Sequence, residues 1–287
     1  MRDPYSLLAG LAPLQASLVD VPDAVVVPVD GCRAAVRAAD PVFTRGDGVF
    51  ETLLVRDGVG CLLAEHLDRL ERSAALAGLV APPVDRWRAA ALEAVAQWPH
   101  DGEAVLRLLL GRDSVAFAMV SAVPDRVAAV RGAGVSALTL QRPLLPLANA
   151  KSLSYSVNSA ALRHAQRLGC DEAIFVDGSG AVLEGPRSAV LVAVAGVDGK
   201  TVLVTPDSSN ILPSTTLRAV FSVAGSRGVE CRYQRLEVAD LVAAEGLWLL
   251  SSVTLVARVR VLDGIGLGAA ASDAWLRGLV DAAVAQR

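Results

Sequence analysis

NAKSLSYSVNSAALRHA, residues 149–165, stands between a proline-rich extended stretch and a run with helical spacing. Its third residue, Lys151, is one of two lysines in a chain of 287 residues; the other is Lys200, set against twenty-five arginines. Arginine replaces lysine as a solvated cation but not as an amine nucleophile. The guanidinium keeps its proton, whereas a lysine can lose one and form a Schiff base. Lys200 follows an Asp-Gly turn signal in VDGKTVLV and precedes an apolar run, so it reads as a solvated hairpin end. Lys151 has two readings, a surface lysine near a helix start or a reactive amine.

Outward from this stretch, VSALTLQRP before it reads as a strand and the residues after Lys151 as a helix. EAIFVDGSGAVLEG, PRSAVLVAVAGVDG and KTVLVTP follow as three strand runs parted by glycine-rich turns. LPSTTLRAVFSVAGSRG is amphipathic, with Leu217, Val220, Phe221 and Ala224 on one face and Gly228 past its end. EGLWLLSSVTLVARVRVLDG reads as two strands broken around Ser251 and Ser252. In the first half, AVVVPV, GVFETLLVRDG and AVLRLLLGRD read as strands, and LLAEHLDRLERSAALAGL and VDRWRAAALEAVAQW as helices. The pattern loosens from about Pro124, so VPDRVAAVRGAGVS reads as a linker. This order predicts an α+β chain of two domains, with a ligand cleft between them. The boundaries expected are a small N-terminal α/β domain over 1–124, a linker over 125–131 and a larger, strand-rich domain over 132–287.

The composition is 53% hydrophobic and 20% charged, which supplies a core and argues against disorder. A net charge of −3 gives no general attraction to nucleic acid or to an anionic membrane, so an acidic ligand must be met by locally placed arginines. SLLAGLAPLQAS near the start carries Arg2 and Asp3 before it and Pro13 within it, which argues against a signal peptide. No apolar stretch is long enough to span a bilayer as a helix. A soluble, cytoplasmic protein is the expectation, with its four scattered cysteines reduced. His66, His100 and His164 lack metal-ligand spacing, so no metal site is expected.

Several further positions suit one ligand. Ser214, Thr215 and Thr216 open a helix, where free N–H groups and hydroxyls either cap the helix or cradle a phosphate. The segment from Ser251 to Thr254 is either a polar turn or a second set of donors. Arg69, between Leu67 and Leu70, either snorkels at the surface or points into a cleft. Glu184 either ends a strand in solvent or pairs with a protonated ring nitrogen. A reactive lysine, a phosphate cradle and an acid facing a pyridinium are together what pyridoxal phosphate requires.

The chain resembles the fold-type IV pyridoxal-phosphate enzymes, which include branched-chain and D-amino-acid aminotransferases and 4-amino-4-deoxychorismate lyases. The strings RGDGVFETLLVRDG, EHLDRLERSAALAGL, KSLSYSVNSAALRHA, the VLEG of Glu184 and LPSTTLRAV occur in family order over roughly residues 40–265. The resemblance implies that Lys151 attaches the cofactor and shuttles protons, and that Glu184 meets the pyridine nitrogen. It implies that Arg69, Thr215, Thr216 and Thr254 hold the phosphate, and that Tyr155 lies near the cofactor's phenolic oxygen. It also implies a homodimer. The chain departs from the family at Ala189, where many members carry asparagine, at Arg187, where small polar residues are usual, and in its STT phosphate motif.

Within the family, Arg107 is followed by Leu108 rather than the proline of branched-chain enzymes. Arg112 matches the arginine of D-amino-acid enzymes, but no histidine follows it in DSVAFAMVS. GDGVFET, KSLSY and SSVTL look most like 4-amino-4-deoxychorismate lyases, which form 4-aminobenzoate and pyruvate on the way to folate. That substrate is a small dicarboxylate, so Arg45, Arg107, Arg112 and Arg187 are the candidate carboxylate ligands. Thr52 or Lys151 is the candidate acid for the departing fragment. The alternative is an aminotransferase for D- or branched-chain amino acids. A non-catalytic descendant is a third reading, opposed by the retention of Lys151.

Overall fold

Two sheets, one in each half of the chain, account for the strand patterns of the sequence. A computed structural model describes residues 24–29, 40–112, 115–269 and 271–285, so Ser6–Ser17 and Cys32 lie outside the described residues. The first half runs β1 (Ala24–Pro28), α1 (Pro41–Arg45), β2 (Gly48–Arg56), β3 (Val59–Gly60), α2 (Leu63–Leu76), α3 (Val84–Ala96), β4 (Ala104–Gly111) and β5 (Ala116–Ala122). The second runs α4 (Arg126–Ala133), β6 (Val135–Gln141), α5 (Ser156–Arg167), β7 (Glu172–Val176), β8 (Ala189–Ala195), β9 (Thr201–Pro206), α6 (Thr215–Ser226), β10 (Glu230–Gln234), α7 (Val238–Ala243), β11 (Gly246–Ser251), β12 (Leu255–Leu262), β13 (Ile265–Gly266) and α8 (Asp273–Val284).

The first sheet is antiparallel throughout, in the order β1-β5-β4-β2-β3. Leu53, Leu106 and Leu108 on its strands pack with Leu67, Leu70 and Trp87 of α2 and α3. The second sheet runs β10-β9-β8-β11-β12-β6-β7 and is mixed, with β6 parallel to both β12 and β7. Its inner strands β8, β9 and β11 are apolar on both sides because both faces are covered there, while the edge strand β10 is polar and largely exposed. Trp248 and Leu250 pack under α6 and α8 on one face. Val190, Val192 and Leu249 pack with Leu241 of α7 on the other.

Residues 125–131, expected as a linker, fall largely within helix α4. Only Val127 is buried on this helix, so its sequence carries little apolar periodicity to reveal it. Arg131 on α4 ties the halves together: it donates to Glu103 at the foot of β4 and to the carbonyls of Val253 and Thr254. Among the described residues, no helix is long and apolar enough to cross a membrane.

The Lys151 segment docks on the edge of β2. Phe50 N–H donates to the Lys151 carbonyl at 2.9 Å, and Leu153 N–H donates to the Gly48 carbonyl at 2.8 Å. Gly48 permits this approach, because a Cβ there would lie 2.6 Å from the Leu110 oxygen and 2.7 Å from Leu153 Cδ1. We predict that Gly48→Ala destabilises the protein by about 1–3 kcal/mol through overpacking. Gly132→Ala, on α4 with nothing within 4 Å of the added methyl, should instead be neutral or stabilising by up to about 1 kcal/mol. Urea unfolding of both variants checks this, and equal midpoints would contradict the packing argument.

Candidate active site

A cavity of about 370 Å³ opens between the two sheets. Phe50 and Thr52 of β2 and Arg107 of β4 line it from the first half; the Lys151 segment, the Glu184 turn, Ser214 and the Ser251–Thr254 loop line it from the second. Both chain halves are needed to build it.

Lys151 is half-buried in this wall, facing the cavity rather than the outer surface. Its backbone is held by β2 and by Ser73 of α2, whose Oγ accepts from Lys151 N–H at 3.1 Å. The Nζ lies 4.6 Å from the Phe50 ring centroid and 5.8 Å from that of Tyr155. The two rings meet edge to face at 5.4 Å. Burial, reinforced by the Arg69 charge, lowers the amine's pKa to about 8, while Glu51 and Glu184 work in the other direction. Lys200, by contrast, is 81% exposed and paired with Asp198, as expected of a hairpin end.

The Glu184 side chain is 14% exposed, set into the cavity wall rather than ending a strand in solvent. Burial pushes its carboxyl pKa up, against the pull of Arg142 and of the Leu212 N–H. Arg142 Nη1 donates to Glu184 Oε1 at 2.7 Å, and Leu212 N–H donates to Oε2 at 3.2 Å. Arg142 is fixed in turn by the Asn210 carbonyl and by stacking 5.3 Å from the centroid of Phe175. Next to it, the Tyr155 hydroxyl and the Asn158 amide both donate to the Pro186 carbonyl. Burial and the Glu184 charge push the tyrosine's pKa up to about 12.

The opposite end of the cavity rests on Arg69, which is 5% exposed and does not snorkel. Its Nε and Nη2 each donate to Glu51 at 2.7 Å, and Nη1 donates to the Pro213 carbonyl at 2.9 Å, just ahead of α6. Glu51 is fully buried. Burial works to raise its pKa, but Arg69 and His66 outweigh that and hold it well below the ordinary carboxylate range. Ser214 caps α6 by accepting from Leu217 N–H at 3.2 Å, so capping and a place on the cavity wall coexist in one residue. Thr215 and Thr216 are buried in the first turn behind that wall, and Thr254 lines the cavity from the β11–β12 loop.

The arginines separate clearly. Arg107 and Arg187 line the cavity, and so does Arg126, which the sequence reading passed over. Arg107 stands opposite Thr52 in the sheet and donates to Ser121 Oγ at 3.0 Å. Burial lowers its pKa. Arg187 pairs with Glu172 at 2.8 Å. Arg45 and Arg112 do not line the cavity, contrary to their expected role. Arg45 ends α1 exposed to solvent, and Arg112 binds Asp47 and the carbonyls at the end of α2. Glu51, His66, Arg126, Arg142 and Asn158 were missed. A carboxylate inside the apolar run GVFETLLV was the available signal, because a charge there demands a buried partner.

A half-buried amine, a half-buried carboxylate held by an arginine, and an arginine beside a helix start all face one cavity. They suit an aldehyde, a pyridine nitrogen and a phosphate respectively. If Lys151 is the attaching amine, the rate at which cofactor-free protein captures pyridoxal phosphate should rise with pH through about 8, where the amine loses its proton. Stopped-flow absorbance checks this. A half-rise near the ordinary lysine range, above 10, would contradict it.

The family model described as amino-transferase class IV matches residues 48–262. A Mycobacterium tuberculosis protein named bifunctional aminodeoxychorismate lyase / D-amino acid transaminase is 46% identical, over 86% of this chain and 92% of its own. A hypothetical aminotransferase from the same organism, solved in a PLP-bound form, superposes with a TM-score of 0.86 at 45% identity, covering 91% of this chain and 99% of that one. The same aminotransferase in an alpha-ketoglutarate and PMP bound form gives 0.85 at 44% identity, covering 91% and 98%. The chain has the fold-type IV architecture, uses pyridoxal phosphate and belongs to the class IV aminotransferase family.

Proposed function

We propose that this protein is a lyase that converts 4-amino-4-deoxychorismate into 4-aminobenzoate and pyruvate. The observation that carries this reading is the cationic wall beyond Lys151. Arg107, Arg126 and Arg187 all line the cavity, and among the described residues only Arg187 of the three has a carboxylate partner. A substrate with two carboxylates suits such a wall, since half-buried Arg107 has no counter-charge among the described residues and favours an incoming anion, while Arg126 adds an exposed cation close to Glu172. The M. tuberculosis relative carries the lyase name, which supports the same reading.

Pyridoxal phosphate, when bound, supplies an aldehyde that joins amines and a ring that accepts electrons. Arg69 and the first turn of α6 hold its phosphate. Glu184, kept in place by Arg142, stabilises the proton on the ring nitrogen. Lys151 would hold the cofactor through its amine and, when free, would take the proton from the ring carbon that bears the substrate amine. Its lowered pKa suits this task, because a base works best when its pKa lies near the working pH. The C–O bond to the enolpyruvyl group breaks, the ring becomes aromatic, and either Thr52 or Lys151 protonates the departing fragment. The atoms of the substrate are conserved in the two products.

The second reading is amino-group transfer between D-amino acids and a 2-oxo acid. It is supported by the second half of the relative's name and by the alpha-ketoglutarate in the related structure, and it uses the same cofactor residues. Supplying purified, cofactor-loaded enzyme with 4-amino-4-deoxychorismate, and separately with D-alanine and 2-oxoglutarate, tests both. We expect 4-aminobenzoate and pyruvate in equal amounts. Transfer without any 4-aminobenzoate would replace the lyase reading with the transaminase one.

Glu184→Gln should retain the cofactor but lose on the order of 10²-fold or more in turnover, because the charge that stabilises the ring proton is gone. Near-normal turnover by the loaded variant would remove Glu184 from the mechanism.

A further inference from the structure

Behind the phosphate end of the cavity lies a closed set of polar side chains whose histidine the reaction above leaves unused. His66, on α2, is 0% exposed. Its Nδ1 lies 2.6 Å from Glu51 Oε2. Its Nε2 lies 3.2 Å from Ser252 Oγ and 3.3 Å from Thr215 Oγ1, while Thr216 Oγ1 is 3.4 Å from Ser252 Oγ. The charged Glu51 fixes a proton on Nδ1, so the state of Nε2 is the remaining variable. A bare Nε2 accepts an O–H from Ser252 or Thr215 and turns that proton away from the start of α6. A protonated Nε2 donates to those oxygens and releases their protons to face an anion.

We propose that His66 is a positioning residue that sets the direction of the Thr215 and Ser252 hydroxyl protons, and that a phosphate dianion at the start of α6 draws a proton onto its Nε2. This rests on the phosphate reading of that end of the cavity. The charges facing His66 are Glu51 from β2, Arg69 from its own helix and Lys151 from the segment ahead of α5. From α6 and the β11–β12 loop, the facing groups are the hydroxyls of Thr215 and Ser252. Without an anion, burial, Arg69 and Lys151 lower the histidine's pKa and outweigh the opposing pull of Glu51. A dianion reverses that balance. By linkage, anion affinity is then highest below the pKa of the free site and falls as pH rises through the pKa of the loaded one, by at most about tenfold per pH unit for one proton.

The test uses the full cofactor-free chain, ¹⁵N-labelled on histidine, with inorganic phosphate as the probe at pH 8.5. The three histidines give a simple spectrum, and His66→Gln identifies the resonance. On filling the cradle, followed by the Thr215 and Thr216 amide shifts, we expect the His66 Nε2 signal to move from a bare to a protonated nitrogen. Titration calorimetry in two buffers should show uptake approaching one proton per site, lost in His66→Gln and reduced in Ser252→Ala. The serine variant serves alone should the glutamine variant not fold. Amide shifts with a bare Nε2 would overturn the proposal and leave the phosphate reading standing. Unmoved Thr215 and Thr216 amides at saturating phosphate would overturn both.

Discussion

The buried carboxylate of Glu51 is the interaction on which the site depends. It sits in the middle of the first sheet's longest strand, where a charge is tolerable only if it is fully paired. Arg69 supplies two hydrogen bonds and His66 a third, which between them occupy both oxygens. Each partner also reaches across to the other half of the chain: Arg69 to the Pro213 carbonyl, and His66 to the hydroxyls of Thr215 and Ser252. One carboxylate therefore fixes the start of α6 relative to β2. Removing one member of such a set leaves a buried charge unpaired, which typically costs about 3–5 kcal/mol.

The rest of the cavity follows from a second constraint, the docking of the Lys151 segment against β2 through Gly48. It places an amine in a partly desolvated wall where Arg69 is a like charge, and these two effects together lower its pKa. Glu184 faces the same cavity in the opposite condition, a carboxylate whose burial is offset by a guanidinium. The two groups are poised for different tasks by their surroundings rather than by their own chemistry. The clamp of Arg131 on Glu103 and the β11–β12 loop holds the two walls at the separation that leaves space for a ligand.

Much of this was legible from the sequence. The scarcity of lysine drew attention to Lys151, and the apolar run GVFETLLVRDG ending at an Asp-Gly turn and the helical spacing of LLAEHLDRLERSAALAGL marked β2 and α2 correctly. The break at Ser251 and Ser252 is the turn between β11 and β12. Helix α4 was missed because a helix with one buried residue shows almost no periodicity. Arg142 was missed because arginine is abundant in this chain, and nothing local separates one that grips a buried glutamate from one on the surface. Arg45 and Arg112 show the same difficulty in reverse.

The sequence by itself determined which residues could carry the chemistry. A reactive amine, a hydroxyl-rich helix start and a carboxylate between a strand and a Gly-Pro turn are local properties, written in residue type and spacing. Only the tertiary structure decided which of them meet. Glu51 and His66 are fifteen residues apart in the chain, and His66 and Ser252 are 186 apart. Whether a charge is buried or solvated depends on what packs against it from distant segments. That packing draws Lys151 into a cavity wall and leaves Lys200 in solvent.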